Sequence, residues 1–198
     1  VKWLTTGGIV AAAGVGVAVT GGLGLGGLGL LATFFLTGSL LTQISGGAGG
    51  QRTARQVVAN GGAAAAAALF GSWAGAAGSL AAATADTWAT EIGSFARTPP
   101  RLLTTAEPVP RGASGGVTTL GTSGGVAGAA LIGALTAALG PAGWRGAAIT
   151  AAVGVLGMLF DSLLGATAQS RGWLDNDGVN FASTCLGCGL GIVGSVGW

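Results

Sequence analysis

The sequence predicts an all-α fold, a polytopic transmembrane helical bundle of about seven spans in one integral membrane domain over residues 1–198. Three observations carry this prediction. Charged residues, 8 Lys and Arg with 6 Asp and Glu, make up 7% of the chain where a soluble domain carries about 25%. Half of the residues are apolar and the mean hydropathy is +0.71. The polar residues are gathered into breaks spaced about one bilayer crossing apart. The same figures exclude a disordered chain, which is too polar to bury itself. Collagen is excluded because the 42 glycines keep no period of three.

Apolar stretches approaching the ~20 residues of a bilayer crossing fall at 4–20, 22–44, 54–70, 72–92, 116–140, 143–168 and 178–198. The first opens almost directly from Val1 without the ordered regions of a signal peptide, so it reads as an anchor. Its start without Met is that of a chain trimmed from a longer one, with room for an eighth helix ahead of it. Only Gly21 separates the first span from the second. The run GLGLGG at 22–27 fits G-x-G-x-x-G, but no strand precedes it, so it reads as a tight helix connection. The third span is short, Ala-rich and parted from the fourth at Gly71. The fourth holds Asp86 and Glu91, and the sixth holds Asp161 near its end. CLGC at 185–188 is a lone C-x-x-C in the last span, read as buried small residues. Most glycines, such as Gly71 to Gly75 and Gly124 to Gly128, read as close helix contacts.

On seven spans the loops alternate sides. Lys2, Arg52, Arg55, Arg97, Arg101, Arg111 and Arg171 then share the N-terminal side, with Arg145 alone opposite. That bias places the N-terminal side, and with it the active site, in the cytoplasm. The six carboxylates, Asp86, Glu91, Glu107, Asp161, Asp175 and Asp177, fall toward the same side.

The inventory removes several chemistries. With no His and no Tyr, the Ser-His-Asp triad, the Cys-His pair and His-based zinc sites each lack an essential part. The single lysine rules out a Walker A loop. A net charge of +2 is too small for a nucleic-acid binder, which must neutralise many phosphates.

What remains is a set of oxygen ligands and guanidinium groups. A carboxylate inside a span costs about 2.5–3.5 kcal/mol on insertion scales, so Asp86, Glu91 and Asp161 mark a function unless they are paired structurally with arginines such as Arg52 or Arg101. A transporter's proton relay also uses buried acids, but no ladder of them continues to the far side. The longest loop, Arg97 to Gly125, carries four of the five prolines, and an active-site loop is expected over 93–115. There Gly112, Ser114, Gly115 and Gly116 precede an apolar run, and a Gly-rich turn opening a helix presents backbone N–H groups to phosphate. Ordinary loops also use Pro and Gly. Arg101 and Arg111 stand near enough to clamp phosphate oxygens. Mg2+ would join the two features, since it takes one or two carboxylates together with substrate phosphates. Asp161 and Gln169 share one helix face, as do Thr87 and Glu91. Asp86 and Glu91 do not, so one reads as a metal ligand and the other as a group orienting an arginine.

The runs QRTARQVVANGG (51–62), ADTWATEIG (85–93), PRLLTT (100–105), VPRGASGGVTTLGT (109–122), DSLLGATAQ (161–169) and NDGVNF (176–181) resemble the phytyl-phosphate kinase family of the vitamin E pathway and its uncharacterised prokaryotic and animal membrane relatives. That family is related to the dolichol kinase and CDP-archaeol synthase group, membrane enzymes acting on lipids with CTP and Mg2+. The resemblance covers most of the chain from Arg52 onward. It implies Asp86, Glu91 and Asp161 as catalytic residues and metal ligands. It also implies a nucleotide and phosphate site of Arg52, Gln56, Asn60, Thr87, Arg101, Arg111, Gly112, Ser114, Gly115, Gly116, Gln169 and Asn180. Two departures are a shorter N-terminal part and the reading Gly112-Ala113-Ser114 where Gly-Thr-Ser-Gly-Gly is usual, one hydroxyl fewer. The expected function is a CTP-dependent prenyl-phosphate kinase with an isoprenoid lipid acceptor. Alternatives are a lipid cytidylyltransferase, a prenyl alcohol kinase, or a small ion-coupled lipid transporter.

Overall fold

A computed structural model describes residues 3–46 and 50–196. Lys2, one of the charges assigned to the N-terminal side, lies outside the described residues. Among the described residues six α-helices follow one another: α1 (Thr6–Ser45), α2 (Ala54–Leu69), α3 (Trp73–Gly93), α4 (Thr119–Leu139), α5 (Gly143–Leu164) and α6 (Asn176–Gly194). A π-helical turn, Gly165–Gln169, extends α5. Two short strands, β1 (Arg101–Leu102) and β2 (Gly116–Val117), pair antiparallel within the long loop. The molecule is a helical membrane protein.

The seven expected spans appear as six helices, because residues 6–45 form one element broken at Gly24. Gly24 has φ 67° and ψ −161°, a backbone region open essentially to glycine alone. The break folds α1 back on itself. Trp3 stacks edge-on against Phe35 with centroids 5.7 Å apart, and Gly8 and Gly38 both lie against Arg52. The connection expected at Gly21 thus sits three residues later, inside the GLGLGG run. By length and composition, α1, α4 and α5 suit a bilayer crossing. The 16-residue α2 is too short, and α3 and α6 are too polar.

The polar α3 belongs at the centre. Every residue from Ala74 to Ala85 is buried, and α3 packs against all the other helices. A helix wrapped in protein needs no lipid-facing surface, so Ala, Gly, Ser and Thr suffice there. Its neighbours approach through glycines. At Gly78 a Cβ would stand 2.3 Å from the Gly187 carbonyl oxygen of α6, and at Gly125 of α4 it would stand 2.8 Å from the Ala85 carbonyl oxygen. Gly75, Gly124 and Gly128 are packing positions as expected, whereas Gly71 has φ 69° and makes the turn between α2 and α3. The two cysteines are free thiols. Cys188 is half-buried, but Cys185 faces outward, contrary to its reading as a buried small residue.

Candidate functional site

The site begins with two acids on neighbouring helices. Asp86 of α3 and Asp161 of α5 bring their carboxyl groups into mutual hydrogen-bonding contact. Ser183 of α6 donates to Asp161 Oδ2 at 3.1 Å. One helical turn before each acid stand Ala82 and Gly157, and a Cβ at Gly157 would lie only 2.4 Å from that of Ala82. The missing side chain at Gly157 therefore sets the spacing of the acids. Two carboxyls in contact share either a proton or a cation.

Two polar cavities meet at Asp86, which lines both together with Thr90, while Asp161 stands behind it and borders neither. The first, about 170 Å3, lies between α3, α5, the start of α4 and the long loop, and Arg111, Gly112 and Gly116 face it. The second, about 210 Å3, is bordered by Arg52, Gln56, Asn60, Thr87, Glu91 and Asn180. Residues as far apart as Thr42 and Asn180 thus line two adjoining spaces.

Glu91 does not join the acid pair. Its Oε1 accepts from Thr42 at 2.6 Å and its Oε2 accepts from Ser45, both on α1. Five residues along a helix turn roughly 140° from Asp86, which directs Glu91 toward α1. Among the described residues no three His, Cys, Asp or Glu side chains gather in a metal-binding group. The acids form a pair and a single, not a triad. Arg52 lies near Glu91 without an ion pair among the described residues, and its guanidinium rests 5.6 and 5.8 Å from the Phe34 and Phe35 ring centroids.

The loop is more ordered than its composition announces. Arg111 donates to the Ser94 carbonyl at 3.1 Å and to the Ala96 carbonyl, fastening the loop to the end of α3. Gly112 has φ 82° and open space beside it, so its backbone faces the cavity. Gly115 has φ 76° and serves packing, since a Cβ would stand 2.3 Å from the Ala166 nitrogen. Ser114 lies beside Gly165 at the same seam. Arg101, exposed on β1, donates to the Ala106 carbonyl at 2.7 Å and borders neither cavity. Gln169 ends the π-helical turn and borders neither cavity. Outside the spans, Asp175 caps α6 and is held below the usual carboxylate range by the Gly178 N–H and then by Arg55, 2.6 Å away.

Sequence reasoning missed Thr90, Thr118, Thr122 and Ser162 of the first cavity and Asn176 of the second. Thr90 had a signal, because it lies one turn after Asp86 and shares its face. Thr118 also had one: it stands just before an apolar run, and its hydroxyl accepts from the Gly121 N–H at 3.0 Å as the cap of α4. The string Gly-Thr-Ser-Gly-Gly itself occurs at Gly121 to Gly125, on the first turns of α4.

Comparison with known proteins agrees with this membrane architecture. The chain is 37% identical over 157 residues to "Uncharacterized membrane protein MJ0933" of Methanocaldococcus jannaschii, covering 72% of this chain and 62% of that protein. It is 29% identical over 232 aligned positions to "Protein PGR" of Arabidopsis thaliana, covering 84% and 81% respectively. A third relative, "Uncharacterized membrane protein sll0875" of Synechocystis, is 32% identical over 115 residues, 58% of this chain and 45% of its own length. The chain thus spans less than two thirds of the archaeal and cyanobacterial relatives it matches. No solved structure matches. The sequence profile of the family described as integral membrane protein DUF92 matches residues 1–188, and with nearly the whole bundle inside that match the chain belongs to this family.

Proposed function

We propose that the protein is a membrane-embedded phosphotransferase that moves the γ-phosphoryl group of a nucleoside triphosphate, CTP by the resemblance, onto an isoprenoid monophosphate. The observation that carries this reading is Asp86, backed by Asp161, at the junction of two polar cavities. In this reading the nucleotide occupies the cavity bounded by the loop and the first turn of α4. That turn offers N–H groups and a positive dipole end, suited to phosphate oxygens. The acceptor phosphate occupies the cavity beside Arg52, and the site faces the cytoplasm.

The donor set fits Mg2+: the Asp86 carboxyl, with Asp161 behind it and the Thr90 hydroxyl beside it, has room for phosphate oxygens on either side. Asp86 and Asp161 would hold the ion, which when bound supplies neutralisation of phosphate charge. Ser183 holds Asp161 in position through its hydrogen bond. Arg52 draws the acceptor phosphate in, and the loop held by Arg111 keeps water out. An oxygen of the lipid phosphate forms the new bond to the γ-phosphorus. The bond from that phosphorus to the β-bridging oxygen breaks, and the nucleoside diphosphate leaves with the electron pair. A phosphate monoester is already a competent nucleophile, so the absence of His is no obstacle; the protein's task is in-line positioning and charge neutralisation.

Detergent-purified protein, labelled CTP or ATP, and a panel of prenyl alcohols and monophosphates test the proposal. The expected products are a nucleoside diphosphate and a prenyl diphosphate. Asp86→Asn and Asp161→Asn should each lower turnover by roughly 100-fold or more while the protein stays folded. Pyrophosphate release would identify a cytidylyltransferase instead, and near-normal turnover of either variant would remove the metal role.

A further inference from the structure

A third cavity, about 200 Å3, lies between the two arms of α1 and the start of α2. Ala12, Val15 and Gly16 line it from one arm, and Leu28, Leu31 and Phe35 from the other. Its polar lining residues are Arg52, Gln56 and Asn60, the same three that border the second polar cavity. An apolar slot therefore opens onto the polar site through a gate of one guanidinium and two amides. The Arg52 guanidinium is half-buried over two aromatic rings and forms no ion pair among the described residues. The carboxylate nearest to it in charge, Glu91, has both oxygens taken by hydroxyls of α1. A half-buried cation with no ion pair among the described residues favours an anionic ligand, and the slot beside it favours a hydrocarbon.

We infer that this slot binds the head-proximal part of the acceptor's hydrocarbon chain, with the acceptor phosphate on Arg52. The inference rests on the phosphotransferase reading and adds to it where the lipid lies and how much of it is read. An apolar cavity of about 150 Å3 holds a six-carbon ring, so this slot takes roughly eight carbons, between one and two five-carbon units. The remainder of a longer chain leaves between the arms of α1 and lies in the bilayer. The protein therefore discriminates the first two isoprene units and tolerates any length beyond them.

The test uses full-length protein in detergent with geranyl monophosphate carrying a tail-end diazirine, and a series of monophosphates of five to twenty carbons. Photolabelling is expected on the stretches 12–16 and 28–35. With the series, kcat/KM should rise at least tenfold from five to ten carbons and change less than about threefold from ten to twenty. Gly16 lines the slot and an added Cβ there meets nothing within 4 Å, so Gly16→Leu directs bulk into the slot. It should raise KM for geranyl monophosphate at least tenfold. Transfer with labelling on other helices, or a further tenfold rise between ten and twenty carbons, overturns the slot and leaves the phosphotransferase reading standing. Labelling of the slot with no transfer from any nucleotide does the reverse. Neither labelling nor transfer overturns both.

Discussion

Gly157→Ala probes the spacing of the acid pair directly. The added methyl would stand 2.4 Å from Ala82 Cβ, where ordinary contact begins at 3.4 Å. The difference is 1.0 Å, and Ala82 has no torsion with which to retreat, so α5 must move from α3 by about that much. Overpacking of this kind costs about 1–3 kcal/mol. A gap of that size also carries a carboxyl pair out of hydrogen-bonding range, and misplacing reacting groups by about 1 Å costs roughly 100-fold in rate. The assay pairs thermal unfolding in detergent with phosphoryl transfer. In the double variant Ala82→Gly with Gly157→Ala, the next nearest atom is Ala82 Cα at 3.3 Å, close to ordinary contact. That variant should recover most of both losses, the non-additivity expected of touching residues. Wild-type stability and turnover in Gly157→Ala, or a double variant no better than the single, would refute the claim that this contact sets the site.

Other outcomes follow from the same geometry. Arg111→Lys exchanges a fork held by two carbonyls for a point charge, so the loop should become more sensitive to limited proteolysis between 97 and 112 and KM for the nucleotide should rise. Gly115→Ala meets both a positive φ and the Ala166 backbone, and should lower stability by about 1–3 kcal/mol in thermal unfolding. Because the folded Asp175 carboxyl lies below its ordinary value of about 4, its contribution is complete above that pH. It is lost as pH falls through the lower, folded value. Hydrogen exchange at the first turn of α6 should therefore accelerate only on acidification through that window, and Asp175→Asn should remove the effect.

The helical class and most helix limits were legible because lipid imposes a length and an apolar composition that a sequence displays openly. The breaks near Gly71 and after Gln169 were readable for the same reason. The partner of Asp86 was not, because Asp161 lies 75 positions away and meets it through the Gly157 and Ala82 contact, which leaves no periodic trace. Glu91 illustrates the opposite case. Its offset from Asp86 could be counted along the helix, but its destination on Thr42 and Ser45 depends on where α1 returns. Arg101 and Arg111 look alike in sequence and both are exposed, and only the folded loop separates a side chain bonded to nearby Ala106 from a guanidinium that fastens the loop to the end of α3.

The fold-back at Gly24 also brings the two ends of α1 to the same side of the bilayer. Forty continuous helical residues would extend about 60 Å, twice the ~30 Å hydrocarbon thickness, with their ends in opposite leaflets. One left-handed backbone angle instead returns Phe35 to Trp3. The approach of Trp3 to Phe35, and of Gly8 to Arg52, thus hangs on a single residue at which an added Cβ would meet nothing within 4 Å.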